Sequence, residues 1–187
     1  MGAPMISILL FCAMLFQASA PPAKPTIDND RVAVWGTTKF FVTAQPQDAV
    51  VVSSSGIAVF VPQGATANLA GQLLVIDLKD HPVPPIANKT SYPLGFPRPG
   101  SKKLFENARV AVWEYRWQPG VATPMHFHDK DVVAWFLEDG DLSSTTPDGK
   151  STVNQYTAGM VKFSPRDRTH TETLVKGQQR AIITELK

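Results

Sequence analysis

Apolar residues recur at every second position in short segments of this chain, which is the pattern of β-strands rather than helices. Ala111, Trp113, Tyr115 and Trp117 share one face of such a segment, and residues 132–137 form a continuous apolar run that suits a strand buried on both faces. Turn-forming residues separate further strand-like segments at intervals of about ten residues. This spacing predicts an all-β fold, either a sandwich or a barrel.

The histidines are concentrated in two places. His126 and His128 form a His-x-His pair, and His170 follows far downstream. Strand alternation directs His126 and His128 to the same face. A third imidazole from another strand then completes a three-nitrogen metal site with positions open for water, dioxygen or substrate. Imidazole suits Fe, Mn, Ni, Cu and Zn, so the pattern predicts a divalent transition metal without selecting among them. The alternative is three imidazoles that only form hydrogen bonds.

The charge of the chain and its N-terminal segment indicate where the protein is located and which partners it has. The chain has 18 Lys and Arg against 16 Asp and Glu, with no long basic run, so we expect no nucleic-acid partner. Residues 1–20 have the apolar run and the small-residue ending of a signal peptide. Cleavage there would remove Cys12, the only cysteine, and would leave no stable membrane span. We therefore predict a periplasmic or secreted protein, with an uncleaved N-terminal anchor as the alternative.

One segment of the sequence occurs twice. Residues 28–35 read DNDRVAVW and residues 106–113 read ENARVAVW, so six of the eight positions are identical. Further short matches follow in the same order, at residues 61–64 with 146–149 and 71–79 with 177–187. We interpret the pattern as a duplication in which the first copy is shorter. Thr43 and Gln45 stand roughly where the second copy has its His-x-His pair.

Two separated motifs resemble those of the cupin superfamily. The first motif runs Gly, five residues, His-x-His, three or four residues, Glu, six residues, Gly. The second runs Gly, five residues, Pro-x-Gly, two residues, His, three residues, Asn. The matching residues are Gly120, His126, His128 and Gly140 in the first motif, and Gly159, Pro165 and His170 in the second. The resemblance covers residues 106–187. It implies a jelly-roll barrel (a double-stranded β-helix) with the histidines inside, and pairing of two copies as a homodimer.

The match to the cupin motifs is incomplete. Counting back from Gly140 places Val133 at the glutamate of the first motif, and Asp167 and Leu174 replace the glycine and asparagine of the second. Three arrangements therefore remain open. The site is a three-histidine centre, as in cupin thiol dioxygenases, or Asp131 supplies a fourth ligand, or the site has eroded and holds no metal.

Asp131 and Glu172 are the candidate general bases. Glu172 follows His170 by two residues, so on a regular strand the two side chains share a face. Glu172 can then act as a base or orient His170, or it is simply an exposed strand carboxylate. Arg166 and Arg168 precede His170 and can bind a carboxylate or phosphate, or belong to a solvated loop.

These observations define an expected organisation. We predict a signal peptide at 1–20, a shortened ligand-free cupin-like repeat with a proline-rich connector at 21–105, and a cupin domain at 106–187, together a degenerate bicupin. The connector proper, residues 81–100, holds six prolines and is expected to be extended. The sequence leaves two functions open: an oxygenase-type enzyme on a small anionic organic substrate, and a non-catalytic module that binds a small ligand.

Overall fold

The computed structural model describes residues 24–37 and 47–187 of the chain. The strands are β1 (Ile27–Asp28), β2 (Val32–Thr37), β3 (Ala49–Ser53), β4 (Ala58–Val61), β5 (Leu73–Leu78), β6 (Lys102–Glu106), β7 (Val110–Trp117), β8 (His126–His128), β9 (Asp131–Phe136), β10 (Gly140–Thr145), β11 (Ser151–Tyr156), β12 (Val161–Ser164), β13 (Arg168–Gly177) and β14 (Gln179–Leu186). The all-β prediction is confirmed for these residues. None of the described residues form a helix that could cross a membrane. The predicted signal peptide, Cys12, Thr43 and Gln45 lie outside the described residues, and export stays a prediction.

Strands β6 to β14 form the two sheets of a jelly-roll barrel. One sheet has the order β6-β7-β14-β9-β12, and the other has the order β8-β13-β10-β11, with antiparallel pairing in both. The alternating residues predicted from β7 face the barrel interior, where Trp113, Tyr115 and Trp117 pack against Phe136 and Leu174. The predicted double-stranded β-helix is confirmed.

The first five strands form a separate sheet on the outside of the barrel. Its order is β1-β2-β5-β3-β4. Its inner face packs against the outer face of the β6-β7-β14-β9-β12 sheet, where Val34, Val50 and Ile76 contact a cluster that includes Val112 and Ile182. Strand β9 is therefore covered by the barrel interior on one side and by the first sheet on the other. This two-sided burial explains its continuous apolar sequence.

The first sheet and the barrel sheet beneath it correspond strand for strand. The order β1-β2-β5-β3-β4 matches β6-β7-β14-β9-β12. The Asn29 side-chain oxygen accepts two backbone N–H groups just before β2, at 2.8 and 3.0 Å, and Asn107 does the same before β7, at 2.8 and 2.9 Å. Each of these two strands also carries a tryptophan whose indole N–H donates to a carboxylate on the neighbouring strand, at 2.8 and 2.9 Å. These features are those that a duplication would leave, and the predicted common descent of the two sheets stays a prediction.

Two arginines make reciprocal contacts across the interface between these sheets. Arg31 donates from Nη1 to the Asp131 carboxylate and from Nη2 to a backbone carbonyl just beyond β14, at 3.4 Å. Arg109 donates from Nη1 to Asp48 at 3.2 Å and from Nη2 to a backbone carbonyl just beyond β5, at 3.0 Å. Contacts repeated in this way are typical of an interface about a two-fold axis.

The final part of the proline-rich connector pairs with the barrel. The Phe127 N–H donates to the Pro93 carbonyl, and the Gly95 N–H donates to the Phe127 carbonyl, both at 2.8 Å. The connector thus runs beside β8, and Gly95, Phe96 and Arg98 become buried. The sequence did not predict this packing, in which the backbone of the connector pairs with the edge of the barrel.

The two arginine contacts should differ in their contribution to stability. The side chains of Arg31 and Asp131 are 10% and 8% exposed, whereas those of Arg109 and Asp48 are 26% and 30% exposed. Loss of one partner leaves a buried charge in the first pair, so we expect R31M to lower the free energy of unfolding by about 3 kcal/mol. We expect R109M to lower it by about 1 kcal/mol, because water screens that pair. Urea unfolding measures both, and an equal or larger loss in R109M would contradict the assignment.

Candidate metal centre

Three histidine side chains converge inside the barrel. The antiparallel pairing of β8 with β13 sets His126 opposite His170, so both side chains point to the same side of the sheet. The Nε2 atom of His128 lies 3.1 Å from Nε2 of His126 and 3.3 Å from Nε2 of His170. One nitrogen from each ring lies within 4.8 Å of the other two. The structure therefore brings together the three histidines that the sequence singled out.

The backbone fixes the orientation of two of these rings. His126 donates from Nδ1 to the Pro124 carbonyl at 2.7 Å, which leaves Nε2 of the neutral ring as the free lone pair. Gly95 packs directly against the rings. A Cβ atom there would lie 2.9 Å from Cε1 of His128 and 3.3 Å from Cδ2 of His126. Glycine is therefore required at position 95 by close approach, which sequence reasoning did not anticipate.

The histidines are held in the form that binds metals. Burial, assisted by the nearby charge of Arg98, lowers the pKa of His126 to about 4. Burial, with Arg168, also lowers the pKa of His128 well below its ordinary value. The pKa of His170 is lowered by burial, although Glu172 opposes the shift. Near pH 7 all three rings are neutral, so a metal ion need not displace protons from them.

The residues present fit a transition-metal ion. Three neutral imidazole nitrogens in one cluster suit Fe, Co, Ni, Cu or Zn better than Mg or Ca, which prefer oxygen ligands. Nδ1 of His128 is buried and has no hydrogen-bond partner among the described residues. No protein group at Nδ1 therefore fixes which nitrogen of this ring carries the proton. Three protein ligands also leave coordination positions open.

Glu172 lies beside the histidines, on the face that the sequence predicted. Its Oε1 atom is 3.9 Å from Nε2 of His170. Its Oε2 atom accepts hydrogen bonds from Trp117 Nε1 at 3.2 Å and from Arg98 Nη2 at 3.3 Å. Burial raises the pKa of Glu172, but the charge of Arg98 and the other groups around it lower the pKa by more, and the net shift is downward. Glu172 is therefore a carboxylate at neutral pH, inside the cavity.

Asp131 is placed elsewhere. Its carboxylate binds Arg31 of the first sheet and accepts the Arg166 backbone N–H at 2.8 Å. These contacts lie on the outer side of β9, away from the three histidines. No structural observation supports Asp131 as a fourth ligand, and its role as a general base stays a prediction.

The placement of Val133 at the glutamate position of the motif needs correction. Val133 packs in the apolar cluster between the barrel and the first sheet. Its neighbour Val132 lies in the barrel-interior cluster and lines the cavity. Strand alternation explains the difference, because residues 132, 134 and 136 face inward and residues 131, 133 and 135 face outward. With three intervening residues after His128, rather than four, the glutamate position of the motif falls on Val132. Val132 faces inward, and it also lacks a ligand atom.

His128 and His170 line a cavity of about 110 Å³. Its wall includes the aromatic rings of Phe96, Trp117, Phe136 and Tyr156 and the charged side chains of Arg98, Lys162, Arg168 and Glu172. Of the two arginines that the sequence proposed for anion binding, Arg168 lines the cavity. Arg166 instead donates to the Pro84 carbonyl at 2.7 Å, at the connector.

Arg98 is the site residue that sequence reasoning missed. Its Nη1 atom donates to Nε2 of His126 at 3.1 Å, and its guanidinium carbon lies 4.0 Å from the centre of the Tyr115 ring. A single arginine in a proline-rich segment has no periodicity that would indicate burial. Only the pairing of the connector with β8 brings it inside.

This chain is similar to cupin proteins of known structure. A cupin domain protein from Bordetella pertussis is 31% identical, over 50% of this chain and 99% of that chain, with a TM-score of 0.43. A cupin 2 conserved barrel domain protein from Leptotrichia buccalis is 12% identical over 91% of this chain and 92% of that chain, with a TM-score of 0.47. No protein-family model matches the chain.

A curated relative matches a shorter part of the chain. The β-alanine degradation protein BauB of Pseudomonas aeruginosa is 46% identical over 44 residues, which are 24% of this chain. The chain spans 46% of the length of that relative.

Neighbouring valines on β9 provide a test of the inward and outward faces. V132E adds a carboxylate to the polar cavity beside the histidines, so we expect a folded protein with increased affinity for Zn²⁺. V133E buries a carboxylate between two apolar sheets, so we expect the free energy of unfolding to fall by about 3 kcal/mol or more. Urea unfolding and Zn²⁺ titration of both variants measure the difference. Equal destabilisation of the two variants would show that the faces are assigned wrongly.

Proposed function

This chain belongs to the cupin superfamily, and from that premise we propose that it binds a divalent transition metal through His126, His128 and His170 and acts on a small anionic organic molecule. One observation carries the proposal, namely that a nitrogen from each of the three imidazoles lies within 4.8 Å of the other two. The lowered pKa values of the rings support it, because neutral imidazole is the metal-binding form.

The charge of the cavity supports an anionic substrate. Arg98, Lys162 and Arg168 line the cavity together with a single acidic side chain, Glu172. Three neutral imidazole ligands would also leave a bound ion with its full positive charge. An anion entering this cavity is attracted by both the ion and the side chains. The name of the Pseudomonas relative refers to β-alanine, which carries a carboxylate, and a small carboxylate is consistent with this charge.

An oxygenase-type reaction is the chemistry that we propose for this site. A bound Fe²⁺ ion would supply open positions at which an organic molecule and dioxygen can meet. The chain itself contributes a carboxylate and an aromatic wall. Glu172 is ionised, and its contact with Trp117 holds it in place, so it can accept a proton from a substrate group in the cavity. The aromatic wall excludes water from the apolar part of a substrate.

A second candidate is a module that binds a small ligand without catalysis. It is favoured by the absence of a ligand atom at both Val132 and Val133, the two positions where the first cupin motif allows its glutamate. The two candidates differ in a simple measurement. Oxygen consumption by the Fe²⁺-loaded chain on addition of β-alanine or propionate supports an enzyme, and binding of either compound without oxygen consumption supports the module.

Removal of single histidines tests the metal site. We expect H126A, H128A and H170A each to lower the affinity for Zn²⁺ by about 100-fold or more, because two imidazoles seldom hold the ion alone. Isothermal titration of Zn²⁺ into the metal-free protein measures the affinity. His81, an exposed histidine of the connector, provides the matched control, and H81A should bind Zn²⁺ as the parent does. Failure of the parent to bind Zn²⁺, or equal loss in H81A, would contradict the proposal.

A further inference from the structure

Arg98 is a buried cation, and some of its hydrogen-bond donors have no protein partner in the described part of the chain. A guanidinium carries five N–H donors. The side chain of Arg98 is 4% exposed, and two of its donors contact His126 Nε2 at 3.1 Å and Glu172 Oε2 at 3.3 Å. Its Nε atom is buried and has no hydrogen-bond partner among the described residues. An unpaired buried donor is costly, and the Arg98 side chain also lines the cavity beside the histidines, where a ligand can accept from the guanidinium.

The aromatic rings around Arg98 hold the guanidinium without using its donors. Its central carbon lies 4.0 Å from the ring centre of Tyr115, 4.7 Å from that of Phe96 and 5.6 Å from that of Trp117. Aromatic faces stabilise a cation through their quadrupoles but do not accept strong hydrogen bonds in the guanidinium plane. The backbone is fixed as well, since Ser101 Oγ accepts from the Arg98 N–H at 3.0 Å and donates to the Arg98 carbonyl at 2.6 Å.

One contact of Arg98 is in competition with a metal ion. Nε2 of His126 carries the lone pair that a metal would take, and Arg98 donates to that same atom. A bound cation would therefore deprive Nη1 of its partner and repel the guanidinium. An anion held between the two cations would restore the lost hydrogen bond and offset the repulsion.

The other two cations of the cavity wall have protein partners as well, but these partners lie outside the histidine cluster. Arg168 Nε donates to the Pro165 carbonyl, and Lys162 Nζ donates to the Tyr156 hydroxyl at 3.2 Å. Arg98 combines a buried free donor with a direct contact to the histidine cluster. It is therefore better placed than either of them to bind a ligand that also reaches the metal.

We propose that Arg98 anchors the carboxylate of a small organic ligand beside the metal centre and so determines which molecules the cavity accepts. This inference rests on the proposed metal site. A planar guanidinium fork matches a carboxylate in shape and charge, whereas an ammonium group offers only a point charge. The proline-rich connector then contributes the specificity of a site whose histidines come from the barrel.

Propionate binding to the Zn²⁺-loaded chain provides the test. We expect the parent protein to bind propionate and to ignore propionamide, the neutral compound of the same shape. R98M should weaken propionate binding by about tenfold or more, because a charge-assisted hydrogen bond is lost. R98K keeps the charge and loses the fork, so its affinity should lie between those of the parent and R98M. R116M alters an exposed arginine that pairs with Glu138, and it should bind propionate like the parent.

The Zn²⁺ affinity of R98M separates ligand anchoring from a structural role. Removal of the competing guanidinium should leave Zn²⁺ affinity unchanged or raise it, whereas a misfolded cavity would lower it. Unchanged propionate affinity in R98M, or no propionate binding by the Zn²⁺-loaded parent, overturns the inference. If the parent fails to bind Zn²⁺, the proposed function fails. The comparison of propionate binding by the metal-free parent and R98M then decides the role of Arg98 by itself, with equal affinities or no binding overturning it.

Discussion

The register between β8 and β13 determines whether this protein has a metal site at all. His126 stands directly opposite His170 in the antiparallel pair, and His128 follows on the same face. A slip of one residue in β13 would carry His170 to the outer face of the sheet and replace it with a threonine. The connector reinforces this register, because its backbone bonds to Phe127 from the other edge and Gly95 fits closely against the rings.

The first sheet acts on the site indirectly, through β9. By covering the outer face of that strand, it provides an apolar contact for Val133 and a cation, Arg31, for Asp131. The inner face of the same strand is left with small apolar side chains such as Val132 and Ala134, which make room for the cavity. Polar chemistry then comes from β13, which contributes Glu172, and from the connector.

The sequence predicted the parts of this structure that depend on local period and on spacing. Alternation in β7, the two-sided burial of β9 and the meeting of the three histidines all follow from periodicity or from the cupin motifs. The orientation of Val133 was missed because the motif allows two spacings, and these differ by one residue on a strand with two faces. Arg98 was missed because its burial depends on a long-range pairing of the connector, which no local pattern of prolines reveals.

X-ray absorption spectroscopy of the Zn²⁺-loaded chain tests the central claim most directly. Convergence of His126, His128 and His170 predicts three imidazole nitrogens at about 2.0 Å, with the remaining coordination supplied by oxygen from solvent or buffer. The multiple-scattering features of imidazole should diminish by one third in H170A. A spectrum with fewer than three imidazoles in the parent chain, or one that does not change in H170A, would contradict a metal centre built from these two strands.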